Sequence, residues 1–222
     1  MNKTKKRLFI ASNLFIFITT TIMVPITLIF GSIASQKDGG PFAYWQHIIT
    51  FTILSNIFLG LVVGASAYIG FRCLKTKEEL PKSLITWYLV AATSTMLTCL
   101  VVLFFLAPAR AASGKDYFDM VLGPMFFLHF FNPILAAITL IFFADSHELT
   151  LKSRFLSLLP PAIYAIPYVI NVVFLKTWPD FYGFTFGGQL IFLPFVFIAL
   201  CLIVFTIASA ISYCHNRKIA LK

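Results

Sequence analysis

Six long apolar stretches, separated by short polar segments, dominate the pattern of this chain. Each stretch reaches the length of about 20 residues that an α-helix needs to cross some 30 Å of hydrocarbon at about 1.5 Å per residue. The connections have at most about a dozen residues, so no soluble domain is expected among them. The pattern predicts an all-α polytopic membrane protein, with residues 1–222 forming one bundle of six transmembrane helices. The predicted spans are residues 8–34, 48–71, 84–107, 120–144, 155–175 and 189–213.

The composition agrees with this class. The chain is 59% hydrophobic and only 11% charged, and its mean hydropathy is +0.91. A soluble globule of 222 residues needs more polar surface than this chain can supply. Composition therefore predicts an integral membrane protein.

The distribution of positive charge predicts the orientation of the bundle. If the N-terminus is inside, 13 of the 17 Lys and Arg residues lie on the inner side and four on the outer side. Since cytoplasmic loops retain Lys and Arg, we expect a multi-pass protein of the cell membrane with both termini in the cytoplasm. The net charge of +9 then reflects orientation and attraction to anionic lipid headgroups, and nucleic acid is not an expected partner. Aromatic residues near the predicted outer ends fit an interfacial belt, namely Tyr44, Trp45, Trp178 and Tyr182.

The first apolar stretch has a second interpretation, a cleaved signal peptide. Basic residues precede it, and residues 32–34 (Ser-Ile-Ala) form a small-x-small site. Its apolar run of about 26 residues is longer than the 7 to 15 of a signal core. Retention as a first helix is therefore predicted.

Motifs for cofactor chemistry are missing from the sequence. There is no Cys-x-x-Cys, no His-Glu-x-x-His and no Gly-rich phosphate loop. The four cysteines suggest no extracellular disulfide framework, and the four histidines fall at scattered depths. We expect no metal, nucleotide or redox cofactor.

His129 is the only ionisable residue inside any predicted span. An ionisable side chain in hydrocarbon costs roughly 2.5 kcal/mol or more, and such residues are functional candidates. Pro133 follows four residues later and has no N–H, so the His129 carbonyl loses its usual helical donor and a local kink is expected.

Polar residues of the second span share one helix face with Thr52. Ser55 and Asn56 follow Thr52 by three and four residues. At 1.5 Å per residue, Thr52 lies roughly 6 Å and His129 roughly 12 Å below the outer ends of their spans, so the two can meet. A hydroxyl and a neutral imidazole are the minimal parts of a nucleophile and its base, and Ser55, Asn56 and Asn132 are candidate substrate-binding or oxyanion donors. Interhelical hydrogen bonding is the alternative role for each of them.

Two short segments carry a resemblance to a known family. Residues 51–56 (FTILSN) and 128–133 (LHFFNP), together with the six spans, resemble the androgen-induced protein family and the bacterial six-span proteins grouped with it. The resemblance implies an atypical intramembrane threonine hydrolase that cleaves fatty acid esters of hydroxy fatty acids. The family's Thr falls on Thr52 and its His on His129. The chain departs from the animal pattern because Pro133 follows the His by four residues and not by five, which rotates the proline by about 100° around the helix.

The resulting prediction is a lipid-ester hydrolase without a cofactor, with a lipid-accessible site in the outer half of the membrane. No Asp or Glu lies in any span, so an Asn, a Tyr or a backbone carbonyl must orient the imidazole. A small-solute transporter and a non-catalytic lipid-binding bundle are the alternatives, because prolines crowd the fifth span and broken helices expose carbonyl groups. The acyl acceptor and the oligomeric state stay open. The prolines are Pro25, Pro160, Pro161, Pro167 and Pro194.

Overall fold

A computed structural model describes residues 3–37, 46–144 and 146–221, which form helices and turns without a β-strand. Within these residues, six helices are long and apolar enough to cross a membrane. The structure thus confirms the predicted all-α fold and the predicted number of helices. The helices are α1 (Lys3–Lys37), α2 (Phe51–Thr76), α3 (Lys82–Ala112), α4 (Pro124–Phe142), α5 (Leu151–Phe174) and α6 (Leu190–Ala220).

Several helix ends differ from the predicted ones. Helices α2 and α6 continue one to two turns beyond the apolar residues, with Lys75 in the last turn of α2 and Lys218 in that of α6. Basic side chains interact favourably with a helix C-terminus and can extend their charge towards water. A prediction from apolar residues alone therefore underestimates the lengths of α2 and α6. Helix α4 starts later than predicted, at Pro124, because Gly123 adopts a φ of 67° that no helix continues through.

Helix α3 lies at the centre of the bundle. It contacts α2, α4, α5 and α6, and 61% of its most apolar 18-residue stretch is buried, against 11% for α5 and for α6. Helices α1 and α2 form a close pair beside it. A Cβ atom added to Gly60 would lie 3.1 Å from Thr20, and one added to Gly64 would lie 3.0 Å from Phe17, so these glycines permit the close approach.

Long polar side chains connect the elements at the end of the bundle where α2 and α4 finish. The two ring nitrogens of His215 each lie 2.8 Å from a carbonyl oxygen, one of Leu140 and one of His147. Lys218 donates to the last carbonyl groups of α4, and the buried Lys6 donates to carbonyl groups at and after the end of α2. His215 lies two residues beyond the predicted span 189–213, in the part of α6 that extends past it.

Helix α5 is interrupted twice. It consists of a short helix Leu151–Leu156, a turn, a helix Leu159–Val169 and a π-helical turn Ile170–Phe174. Pro160 and Pro161 occupy the first turn of the middle segment, where an N–H has no intrahelical acceptor. Part of the proline cluster is therefore accounted for as a helix start.

Candidate active site

A narrow cavity of about 70 Å³ lies between the first turn of α2 and helices α3, α5 and α6. Space of this size holds a few water molecules or the polar end of a ligand. Five hydroxyl groups line it, those of Thr52, Thr98, Tyr164, Tyr168 and Tyr182. The rest of the wall is apolar and includes Phe51, Leu97, Val101, Ala165, Phe184 and Leu200.

Thr52 is the second residue of α2 and is 8% exposed. Some buried threonines donate their hydroxyl to the carbonyl of a preceding turn, as Thr19 does to Phe15 and Thr95 does to Ala91. Although the 3₁₀ turn Gln46–Ile49 lies just before α2, no hydrogen bond joins the Thr52 hydroxyl to a carbonyl of that turn within the described part of the chain. The Thr52 hydroxyl instead contacts the hydroxyl of Tyr182 in the cavity wall.

His129 lies in a π-helical turn, Phe127–Phe131, inside α4, and is 4% exposed. The local irregularity expected from Pro133 takes this form, and π-turns are frequent at functional sites. The imidazole Nδ1 lies 2.7 Å from the carbonyl oxygen of Met120. A carbonyl can only accept, so Nδ1 carries the hydrogen and Nε2 has the free lone pair. A backbone carbonyl was one of the three expected partners, and Met120 supplies it.

Helices α2 and α4 meet through the amide of Asn56. Its Nδ2 donates to the Thr52 carbonyl at 2.9 Å and to the Leu128 carbonyl at 3.1 Å. The backbone next to His129 is thereby held at the level of the first two turns of α2. His129 is not among the residues that line the cavity, and no hydrogen bond joins its ring to the Thr52 hydroxyl in the described coordinates. The structure thus brings the two helices together without forming the bond between nucleophile and base.

The predicted substrate-binding residues contact neighbouring helices. Ser55 lies 3.3 Å from the Thr98 hydroxyl. Asn132 accepts from Thr19 at 2.8 Å and donates to Thr20 at 3.1 Å, which ties α4 to α1. Both hydrogens of the Asn56 amide are also bonded. All three side chains therefore take part in contacts between helices, which is the alternative role that the sequence left open for them.

Asp180 organises the connection between α5 and α6. Its carboxylate accepts from the Tyr168 hydroxyl, from the Phe184 N–H at 3.0 Å, and from the Thr185 N–H and hydroxyl at 2.8 and 2.6 Å. Partial burial raises the pKa of Asp180, but these four donors outweigh burial and hold its pKa below the usual range. The depressed pKa means that the charged carboxylate stabilises this connection at neutral pH, and that its contribution is lost only as the pH falls through that lowered value.

Tyr182 belongs to the same connection, and the prediction that it forms part of an interfacial belt is wrong. It is 9% exposed, and its hydroxyl accepts from the Phe51 N–H at 2.8 Å, directly beside Thr52. Burial raises the pKa of Tyr182 to about 12, although hydrogen bonds from Phe51, Tyr164 and Thr52 favour the phenolate. Its ring stacks on Phe184 with centroids 5.1 Å apart. Sequence reasoning missed Tyr182 because an aromatic residue near a helix end also fits a belt.

The remaining candidate groups are few. Tyr44 and Trp45 lie outside the described residues, and Trp178 is half-buried. Where the structure describes the chain, no three His, Cys, Asp or Glu side chains come together as a metal site, and the four cysteines are free.

Comparison with known proteins identifies no relative: no family model, no curated protein and no solved structure matches the chain.

Proposed function

We propose that the protein is an intramembrane hydrolase of long-chain fatty acyl esters, with Thr52 as nucleophile and His129 as general base. The observation that carries the proposal is the Thr52 hydroxyl, which is buried, donates to no carbonyl of the preceding turn, and lies in the wall of an apolar cavity. The position in the first turn of α2 also favours a developing alkoxide, because a helix N-terminus stabilises negative charge. No other hydroxyl of the cavity occupies such a position.

The resemblance of residues 51–56 and 128–133 to the androgen-induced protein family supports the same assignment. The excess of Lys and Arg on one side supports an orientation in the cell membrane with both termini in the cytoplasm. In that orientation the first turns of α2 and α4 lie towards the outer surface, and the cavity opens in the outer half of the bilayer.

The proposed reaction proceeds in two halves. The Thr52 oxygen forms a bond to the ester carbonyl carbon while its proton passes to His129 Nε2 and the carbonyl π electrons move to the carbonyl oxygen. Collapse of this intermediate breaks the bond to the alcohol oxygen, which takes the proton back from His129, and leaves an acyl-threonine. Water then attacks the acyl group in the same manner and releases the fatty acid and free Thr52.

The hydrogen bond between Thr52 and His129 is expected to form when substrate is bound. Catalytic hydrogen bonds are often long in unliganded enzymes and tighten in the complex. The Met120 carbonyl already holds the ring in the tautomer that a base requires. Asn56 keeps α2 and α4 at matching levels through the carbonyl groups of Thr52 and Leu128.

The substrate class is inferred from the cavity's opening. Ala162 of α5 and Cys201 of α6 both line the cavity and are both exposed on the outer surface of the bundle. Since α5 and α6 are also the least buried helices, an acyl chain from the bilayer reaches Thr52 through the gap between them. A chain moving from lipid gains little of the roughly 0.8 kcal/mol per methylene that transfer from water provides. Selection therefore depends on cavity shape and on the few hydroxyl groups.

Blocking this gap should reduce turnover. Cys201→Trp is expected to lower hydrolysis of a long-chain acyl ester in proteoliposomes at least tenfold, because the indole fills the opening. Cys214→Trp is the matched control, since Cys214 is also exposed on α6 but does not line the cavity. Equal turnover in both variants would exclude access between α5 and α6.

Covalent labelling tests the proposed nucleophile. A lipid-like fluorophosphonate probe should form an adduct with the purified protein that peptide mass spectrometry maps to Thr52, because Oγ displaces fluoride. Thr52→Ala should abolish the adduct, and Thr93→Ala should retain it, since Thr93 is fully buried on α3 away from the cavity. Undiminished labelling of Thr52→Ala would remove the hydrolase proposal.

A lipid-binding bundle without turnover is the second candidate. The predicted substrate-binding side chains form hydrogen bonds within the bundle, namely Ser55, Asn56 and Asn132. A cavity that only binds lipid is consistent with these contacts, as an enzyme is. Native mass spectrometry would then detect retained lipid, and no ester would be converted. Small-solute transport stays the alternative suggested by the interruptions of α5; counterflow in proteoliposomes that is unaffected by Thr52→Ala would support it.

A further inference from the structure

The proposed reaction leaves four hydroxyl groups of the cavity unused, and among them the Tyr182 hydroxyl is the one that accepts from the Phe51 N–H, directly beside Thr52. Ser55, Asn56 and Asn132 are the expected oxyanion donors, but the Ser55 hydroxyl contacts Thr98 and the two amides are bonded to other helices. The oxyanion that forms at Thr52 needs a donor directed at it in a water-poor site. The cavity wall beside Thr52 contains Tyr182.

The N–H groups of the first turn of α2 explain how the Tyr182 hydroxyl is oriented. The Thr50 side chain accepts from Ile53, the Thr50 carbonyl accepts from Leu54, and the Phe51 N–H donates to the Tyr182 oxygen. The Thr52 N–H and the hydroxyl groups of Thr52 and Tyr164 also contact this oxygen. Because these groups act as donors to the lone pairs of the phenol oxygen, its own hydrogen is left for a further acceptor.

The local packing holds this hydroxyl in place. The Tyr182 ring lies between the rings of Tyr164 and Phe184, and the Asp180 carboxylate fixes the adjacent backbone. Because burial raises the pKa of Tyr182 to about 12, the phenol keeps its hydrogen at neutral pH. A rigid donor of this kind needs no reorganisation during the reaction.

We propose that the Tyr182 hydroxyl donates a hydrogen bond to the ester carbonyl oxygen and stabilises the oxyanion that forms when Thr52 attacks. The connection between α5 and α6 is thus part of the catalytic centre, and Asp180 is a positioning residue that acts through it. This inference rests on the proposed function of Thr52.

Removal of one hydroxyl tests the inference. Tyr182→Phe keeps the ring and is expected to lower kcat 100- to 1000-fold, the usual loss when one oxyanion donor is removed, with KM changed less than about threefold. Labelling of Thr52 by the fluorophosphonate should slow in parallel, since the phosphoryl oxygen occupies the same position. Tyr88→Phe is the matched control, because Tyr88 is fully buried and lies outside the cavity.

The outcomes separate this inference from the proposed function. If Thr52→Ala abolishes turnover and Tyr182→Phe keeps kcat within threefold of the parent, the Tyr182 inference is wrong and the nucleophile stands. If Thr52→Ala keeps its turnover, the hydrolase proposal itself is wrong. Thermal unfolding of Tyr182→Phe checks that the fold is intact. A rise in KM with kcat unchanged would assign Tyr182 to substrate binding and overturn the oxyanion role.

Discussion

Thr52→Ala is expected to reduce hydrolysis of a long-chain acyl ester at least about 1000-fold. Loss of a nucleophile removes the covalent route altogether, and the remaining groups of a hydrolase site supply only residual acceleration. Thr52→Ser keeps a hydroxyl at the same place on α2 and should retain turnover within about one order of magnitude of the parent protein. Initial rates in detergent or proteoliposomes, measured by release of the fatty acid, provide the comparison.

Stability measurements make this result interpretable. The Thr52 side chain donates no hydrogen bond to a preceding turn, so Thr52→Ala should change thermal unfolding little. Thr93→Ala removes the same atoms from a fully buried threonine of α3 whose hydroxyl has no partner in the described structure, and should keep turnover within threefold. A Thr52→Ala protein that folds and still hydrolyses the ester at a tenth of the parent rate would contradict the role of Thr52 as nucleophile.

The spanning helices were predictable because each satisfies its backbone hydrogen bonds within its own segment, which makes apolar length a local signal. The shared face of Thr52 and Asn56 was predictable for the same reason, from helical periodicity. The hydrogen-bond partners of the Asn56 and Asn132 amides were not predictable in this way. Asn132 bonds to α1 and Asn56 to the Leu128 carbonyl of α4, and both pairings depend on which helices become neighbours.

The connection between α5 and α6 shows a different limit. The backbone around Tyr182 is held by the Asp180 carboxylate, and Tyr182 lines the cavity. This carboxylate accepts from the hydroxyl of Tyr168 and from the N–H groups of Phe184 and Thr185. A short polar residue that bonds to nearby N–H groups is a local signal that the sequence carries. The direction in which the ring then points depends on the start of α2, over a hundred residues earlier in the chain, and hydropathy contains no information about it.

His129→Ala is expected to lower turnover 100- to 10000-fold, the range that a positioned general base contributes. The Met120 carbonyl fixes the hydrogen on Nδ1, so Nε2 is the atom whose loss matters. His129→Ala leaves space for a small base, and added imidazole should restore part of the rate in this variant and none in Thr52→Ala.

A second buried histidine provides the contrast for this prediction. His215 is 1% exposed and bonds to carbonyl groups of Leu140 and His147 at the opposite end of the bundle. His215→Ala leaves those carbonyls without a partner and should lower the unfolding temperature, while the folded fraction keeps its turnover within threefold because the cavity is untouched. His129→Ala should show the reverse pattern, with a large loss of rate at a modest cost in stability. Turnover and thermal unfolding measured on both variants distinguish a base from a structural histidine, and a His129→Ala protein that loses only stability would assign His129 to helix packing.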